Sequence, residues 1–283
     1  IFRHHLHLAF KGSNDAASTI YRVELRLKDA SRGWRWVDIG GKIVERDSKG
    51  HALRMVGTFS DIDERKQAEK RTAQLRDLYA ALSQINQAIV RIDNRDALFH
   101  EICRIAVDHG HFCMAWIGMV DEHSKQVMSV ASYGSGIEVL QKSLASIDAS
   151  KPESCGPIGT AIRENQPAIC NDFLNVPQQK FDFEVAAPPS SHAIASFPFQ
   201  QSGRAMGVLV LHASEKNFFD EFVISLLEEM MRNISFATEN YARESQREAM
   251  ENALIESEKF KSAILTAALD CIISINHEGE IIT

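Results

Sequence analysis

Cys155 stands directly before Gly156-Pro157-Ile158-Gly159-Thr160, a thiol ahead of a run that reads as a helix start. Proline is favoured in a first helical turn, and the free N–H groups there can face an anion, so the run can cradle a phosphate. The same backbone dipole lowers a thiol's pKa, which makes Cys155 the best redox candidate in the chain. The plainer reading is that these glycines only permit a tight turn and close helix packing. His4-His5-x-His7 has the composition of a metal site, but its spacing fits neither a helix face nor a zinc pattern, and no metal is expected. His109 and His111 flank Gly110 at a helix-to-strand turn, a setting for caps rather than haem ligation. Ser191-His192-Ala193 precedes a strand-like ASFPF, the wrong context for a phosphoacceptor histidine. No glycine-rich nucleotide loop, P-loop lysine or carboxylate pair beside a nucleophile is legible. No catalytic residue is therefore assigned, no cofactor is named, and the chain is expected not to be an enzyme.

The elements that must position these groups are those of a soluble globular protein. The 283 residues are 45% hydrophobic and 24% charged, enough for two domains. A net charge of −7 without a basic stripe argues against nucleic acid as a partner. The longest apolar run, Ala263 to Ile275, is interrupted by Thr266, Asp270 and Ser274 and is too short to cross a bilayer. Five scattered cysteines, Cys103, Cys113, Cys155, Cys170 and Cys271, form no CxxC pair and suit a reducing, cytoplasmic compartment. The chain opens on Ile1 with no basic-then-apolar leader, and is read as an excerpt from a longer protein.

Tyr21 to Leu27 alternates strictly, and Trp34 to Val44 and Ala52 to Phe59 are rich in β-branched and aromatic residues about an Asp47-Ser48-Lys49-Gly50 turn; three antiparallel strands are predicted. Asp61 reads as the cap of a long charged helix. Along it Leu75, Leu78, Leu82, Ile85, Ile89 and Ile92 fall three and four apart, the seam of a coiled coil seeking a partner helix. Asp93 to Asp96 breaks this helix and opens another from Ala97 to about His109. Strands are predicted at Phe112–Val120, Val127–Ser132, Ala168–Asn171, Ala193–Phe199 and Ala205–Ala213, with helices at Ile137–Ser146 and Gly159–Glu164. The mixture is α+β. A closing helix from Phe219 to Tyr241 carries a second seam, loses its apolar phase between Ala242 and Ala249, and resumes at Met250, Ala253, Phe260 and Ile264.

The segment YRVELRLKDASRGWRWVDIGGKIVERDSKGHALRMVGTFSDIDERKQAEK resembles the C-terminal half of a PAS domain, with Asp61-Ile62-Asp63 where such families have Asp-Ile-Thr at the exit to the output helix. HFCMAWIGMVD, GPIGTAIRENQPAICND and AIASFPFQQSGRAMGVLVLHASEKNFFDEFVISLLEEM, in that order, resemble a GAF domain over roughly residues 76 to 240. The tail SEKFKSAILTAALDCIISINHEGEIIT resembles the opening of another PAS domain. The resemblance implies this organisation: residues 1–65 the end of a PAS domain, 66–95 a signalling helix, 96–240 a GAF domain with an antiparallel sheet flanked by helices, 241–262 a second linker helix, and 263–283 the start of a second PAS domain. It implies a ligand pocket at Cys155, Gly156, Gly159, Thr160, Asn171, Asp172, Ser196 and Phe197, where relatives bind cyclic nucleotides, bilins, haem or metabolites and many others bind nothing known. Cys155 departs from the family, where this position is more often small, and no cysteine has the Cys-His pair of bilin-binding relatives. The whole reads as a bacterial sensory and relay region, homodimeric through its helices, with Asp61 and the Leu75 to Ile92 seam passing a change to an output domain outside this chain. Such arrays resemble the input regions of sensor histidine kinases and, by preference, of cyclic-di-GMP cyclases and phosphodiesterases. A small-molecule receptor and a purely dimerising scaffold are the alternatives.

Overall fold

The computed structural model describes residues 20–28, 33–49, 52–142, 145–150, 154, 156–172, 187–267 and 275–281. The chain divides into two units, Ile1–Arg76 and Asp77–Thr283. Cys155, Cys271 and the His4-His5-x-His7 run lie outside the described residues.

In the first unit, β1 (Ile20–Lys28), β2 (Trp34–Arg46) and β3 (Ala52–Asp61) form an antiparallel sheet in sequence order. The predicted strands are present, each extended by a few residues. Leu25 and Val37 are buried and directly paired across β1 and β2, the inward face that strict alternation requires. The opposite face is tied by charge: Arg22 Nε and Nη2 donate to Asp38 at 3.0 and 2.6 Å, and Glu24 accepts from both Arg65 and Lys66. The exit to helix α1 (Asp63–Arg91) uses two aspartates rather than one. Asp61 Oδ1 accepts the Asp63 N–H at 2.9 Å, and Asp61 also pairs with Arg35 at 3.0 Å. Asp63 Oδ1 in turn accepts the Trp36 N–H at 3.2 Å, while Trp36 O takes the Ile62 N–H. The first turn of α1 thus continues the β2–β3 ladder by one step.

In the second unit, α2 (Arg95–Gly110) begins where the Asn94 side chain accepts the Ala97 N–H and ends at His111 in the left-handed region, φ 60°. Six strands follow: β4 (Met114–Asp121), β5 (Gln126–Gly134), β6 (Ala145–Ser146), β7 (Ala168–Cys170), β8 (Ala193–Gln201) and β9 (Arg204–Ala213). They form one antiparallel sheet in the order β6-β5-β4-β9-β8-β7. The helix predicted over Ile137–Ser146 is instead a short 3-10 turn, Ile137–Lys142, followed by the edge strand β6. Val127 pairs Ala145 and Gln126 pairs Ser146, so the open edge of β5 claims this segment as a ladder partner.

Two layers cover the sheet. One face receives α2 and α4 (Glu221–Ala267): Phe99 and Phe199 meet at 5.6 Å between ring centroids, and Val223, Leu227, Met230 and Ile234 of α4 are buried. The other face receives α3 (Pro157–Glu164), whose Ile158 and Ile162 pack with Met114, Trp116, Ile194 and Val210. The second half of α1 joins the first layer. Its Leu78, Ala81, Leu82, Ile85 and Ala88 are buried, Asn86 accepts from Asn233 at 2.9 Å, the Tyr79 and Phe222 rings meet at 6.3 Å, and the Tyr241 hydroxyl donates to the Ile92 carbonyl. Contacts ascend along α1 and α4 together, so the two helices run in the same direction.

The closing helix does not break where its apolar phase lapses. α4 is continuous for 47 residues. Ion pairs at helical spacing, Arg243 with Glu239 and Arg247 with Glu244 and Glu251, support the polar stretch. In the tail, Ile275 and Ile281 form a bridge around a turn held by Asn276.

Candidate functional site

Alternation along a strand sends successive side chains to opposite faces, and directly paired residues share a face. On the α3 side of the sheet, Trp116 pairs with Val210, Ser196 pairs with the same Val210 from the other strand, and His212 pairs with Met114 and Ile194. Trp116 and Ser196 therefore flank β9, about 10 Å apart at a strand spacing of about 4.8 Å, with His212 one pleat further along. These three residues are 3%, 0% and 1% exposed. Trp116 Nε1, Ser196 Oγ and His212 Nε2 are all buried without a hydrogen-bond partner among the described residues. Leaving one such group unmet costs on the order of 1–3 kcal/mol, so three on one face require explanation.

Local packing fixes each group. A Cβ at Gly118 would lie 2.8 Å from Trp116 Cζ3 and 2.5 Å from Val127 Cγ1, so glycine there gives the indole its place over β4. His212 Nδ1 lies 3.2 Å from Ser191 Oγ, whose hydroxyl donates to the Ala193 carbonyl at 3.4 Å. In the tautomer in which Ser191 accepts from Nδ1–H, Nε2 is a bare acceptor. Burial pushes the His212 pKa down to about 3, and the ring is neutral at physiological pH. The face thus offers a donor at Trp116, an acceptor at His212 and a hydroxyl of either sense at Ser196. None of these strand residues carries a charge.

The residues proposed from the sequence separate. Ser196 belongs to this face. Phe197, its neighbour, points to the other face and is fully buried under the helices. Asn171 is a tie: its Nδ2 donates to Phe219 O at 2.8 Å and its Oδ1 accepts from Phe219 N at 3.0 Å, fastening the end of β7 to the approach to α4. Asp172 pairs with Lys216 at 2.9 Å. Gly156 caps α3 in extended conformation with no side-chain bond. A Cβ on Gly159 would lie 2.4 Å from Ser154 O and 2.7 Å from Ser146 O, so glycine lets α3 pack against these two carbonyls. Thr160 Oγ1 is 3.4 Å from Arg163 Nη2.

Among the described residues no cluster of His, Cys, Asp and Glu could hold a metal. Burial raises the thiol pKa of Cys103 to about 12 and shifts Cys113 and Cys170 in the same direction, so these cysteines are protonated at neutral pH. Among the described residues no helix is long and apolar enough to cross a membrane. Surface grooves of about 660 Å³ open beside α4, one against Asp93, Arg95 and Tyr241 and one against Tyr79 and Val90. Their lining is largely exposed, so water meets their hydrogen-bonding demand.

A six-stranded antiparallel sheet with a helical layer on one face and a short proline-started helix over the other defines an α+β module. A GAF-domain family model matches residues 93–239, just over half of the chain, and the chain belongs to the GAF-domain family. Among solved structures it is similar to free methionine-R-sulfoxide reductase from Neisseria meningitidis in complex with its substrate, at 18% identity over 59% of this chain and 91% of that one, with a TM-score of 0.48. It is also similar to the GAF domain of an Acinetobacter phosphoenolpyruvate-protein phosphotransferase, at 16% identity over 60% and 97% of the two chains, TM-score 0.48. A free methionine-R-sulfoxide reductase of Staphylococcus aureus shares 15% identity over 56% and 94%, TM-score 0.45. A comparison with curated proteins finds no match. The expectation that the chain is no enzyme is corrected by these neighbours: free methionine-R-sulfoxide reductases are among the structures it resembles, and missing motifs do not exclude activity on this fold.

Proposed function

We propose that the chain is the sensory input and relay region of a bacterial-type signalling protein. Its GAF module receives a small uncharged metabolite on the α3 face of the sheet. The observation that carries this reading is the trio of buried, unmet polar atoms on Trp116, Ser196 and His212. A molecule with one acceptor and one donor would satisfy the indole N–H and the imidazole lone pair, with Ser196 meeting either. An anionic nucleotide phosphate finds no counter-charge among these strand residues, and an unpaired buried charge is costly, so a neutral metabolite is favoured over a cyclic nucleotide.

In the same proposal the flanking parts are PAS-like, the protein is a cytoplasmic homodimer, and α1 and α4 carry the change to an output domain beyond this chain, of the cyclic-di-GMP or histidine-kinase kind. Support comes from the Asp61 and Asp63 joint, which couples the start of α1 to the β2–β3 ladder, and from the parallel course of α1 and α4. Native mass spectrometry of the gently purified chain tests the receptor reading. Extra mass that is lost on denaturation, and lost when Trp116→Phe and Ser196→Val are combined, is expected. Extra mass retained by that double variant would place the ligand elsewhere.

A further inference from the structure

The last turn of α3 borders a cavity of about 300 Å³ whose apolar wall includes Val120, Ile147 and Ile162 and whose polar wall includes Arg163, Asn165 and Arg204. Val120 stands four residues beyond Trp116 along β4, roughly 13 Å away at about 3.3 Å per residue, so this is not the place where the unmet trio meets. Arg163 is set in position by neutral groups. Its Nη1 donates to Ser154 O at 2.6 Å, and Nη2 lies 3.4 Å from Thr160 Oγ1. A Cβ on Gly159 would come within 3.0 Å of Nη1, so the glycine also leaves room for the guanidinium. Among the described residues no carboxylate pairs with Arg163. Arg204 pairs with Glu122 at 3.1 Å, but both side chains are more than half exposed; such a pair contributes at most about 1 kcal/mol and yields to a better acceptor. Asn165 closes α3 in the left-handed region, φ 53°, and its Oδ1 is buried with no hydrogen-bond partner among the described residues.

We propose that this cavity binds a small organic monoanion, an apolar carboxylate that also carries a hydroxyl. Arg163 and Arg204 outnumber Glu122 among its lining residues, so a cation finds no unpaired carboxylate there. The planar guanidinium of Arg163 matches the two oxygens of a carboxylate, and a fork already held by Ser154 loses little freedom on binding. A doubly charged phosphate would bring more charge than one unpaired guanidinium meets, against apolar walls where the excess is costly. The carbon body of the ligand covers Val120, Ile147 and Ile162, removing apolar surface from water. Its hydroxyl donates to Asn165 Oδ1, an acceptor that a carboxylate by itself would leave unmet. The volume lies at the small end of the range for ligand sites, about 300–1,000 Å³, which suits a body of one ring. This site stands independently of the receptor face proposed above.

Isothermal titration of the whole chain with 3-phenyllactate, which has one carboxylate, one hydroxyl and one ring, tests the proposal. Saturable binding is expected. The methyl ester, which keeps the shape without the charge, is expected to bind at least tenfold more weakly, and 3-phenylpropionate, which lacks the hydroxyl, a few-fold more weakly. Arg163→Gln is expected to weaken the acid at least tenfold, and Arg163→Lys, which keeps the charge without the fork, by less. Ala205→Leu adds bulk to the cavity wall without removing the guanidinium and is expected to abolish binding, with thermal melts checking that each variant folds. Trp116→Phe combined with Ser196→Val is expected to leave the affinity unchanged, which separates this site from the receptor face. No binding at millimolar probe, equal binding of acid and ester, or affinity that survives both Arg163→Gln and Ala205→Leu would overturn the proposal. Binding lost only in the Trp116 and Ser196 double variant would overturn it too, and would place the probe on the receptor face.

Discussion

Ser196 and His212 make the same point by different chemistry: each holds a buried polar atom that no described residue meets. Replacing Ser196 by alanine removes an unmet hydroxyl at nearly equal volume. The ligand-free protein is expected to gain about 1 kcal/mol in urea unfolding, and an equal loss would mean that the hydroxyl already has a partner. His212 gives a pH signature. Its folded pKa is pushed down to about 3 against about 6.5 when unfolded. Above pH 6.5 neither state binds a proton and the ring contributes nothing. Between about 6.5 and 3 only the unfolded chain takes one up, so stability is lost as pH falls, at about 1.4 kcal/mol per unit. The His212→Leu variant should remove that part of the slope, measured as the difference between the two proteins' urea midpoints from pH 7 to pH 5; parallel profiles would refute the assignment.

At the scale of elements, the seam read along α1 has two sides. Leu78, Leu82 and Ile85 are 3%, 8% and 0% exposed within one chain, while Leu75, Ile89 and Ile92 are half-buried. The three-and-four spacing is real, and its partner in this structure is the chain's own α4. Ile85→Ala is therefore expected to cost about 2–4 kcal/mol of stability through the cavity it leaves while leaving the oligomeric state unchanged; loss of the dimer without loss of stability would restore the intermolecular reading. A heptad pattern tells that a helix has a partner but not which chain supplies it. Strands were legible because alternation and turn residues are local, and the GAF order of segments was legible because five such strands recur in sequence. The Ile137–Ser146 region was misread because its apolar residues suit a helix, whereas the free edge of β5 decides its state. The site was legible only at Ser196. Trp116 and His212 each sit in an apolar strand run, MAWIGMV and GVLVLH, where they read as core. Their meeting on one face depends on strand order, which no local pattern carries, although a lone histidine closing GVLVLH was a signal to ask what meets its second nitrogen.

Across the whole molecule α4 has two halves: one packs under the sheet whose opposite face carries the unmet atoms, and the other is exposed along its length. A ligand that draws Trp116, Ser196 and His212 toward itself shifts β4, β8 and β9 relative to one another, and β8 is the strand against which α4 packs, with Ser235 Oγ accepting the Gln200 N–H at 3.2 Å. A packed interface with discrete arrangements can convert such a shift into a change of helix register or rotation. The central claim is that the α3 face holds a small molecule, and a crystal structure of the protein as purified examines it most directly. Continuous non-protein density is expected within about 3.2 Å of at least two of Trp116 Nε1, Ser196 Oγ and His212 Nε2. Isolated waters bonded to each of the three atoms, with no larger feature between them, would contradict it.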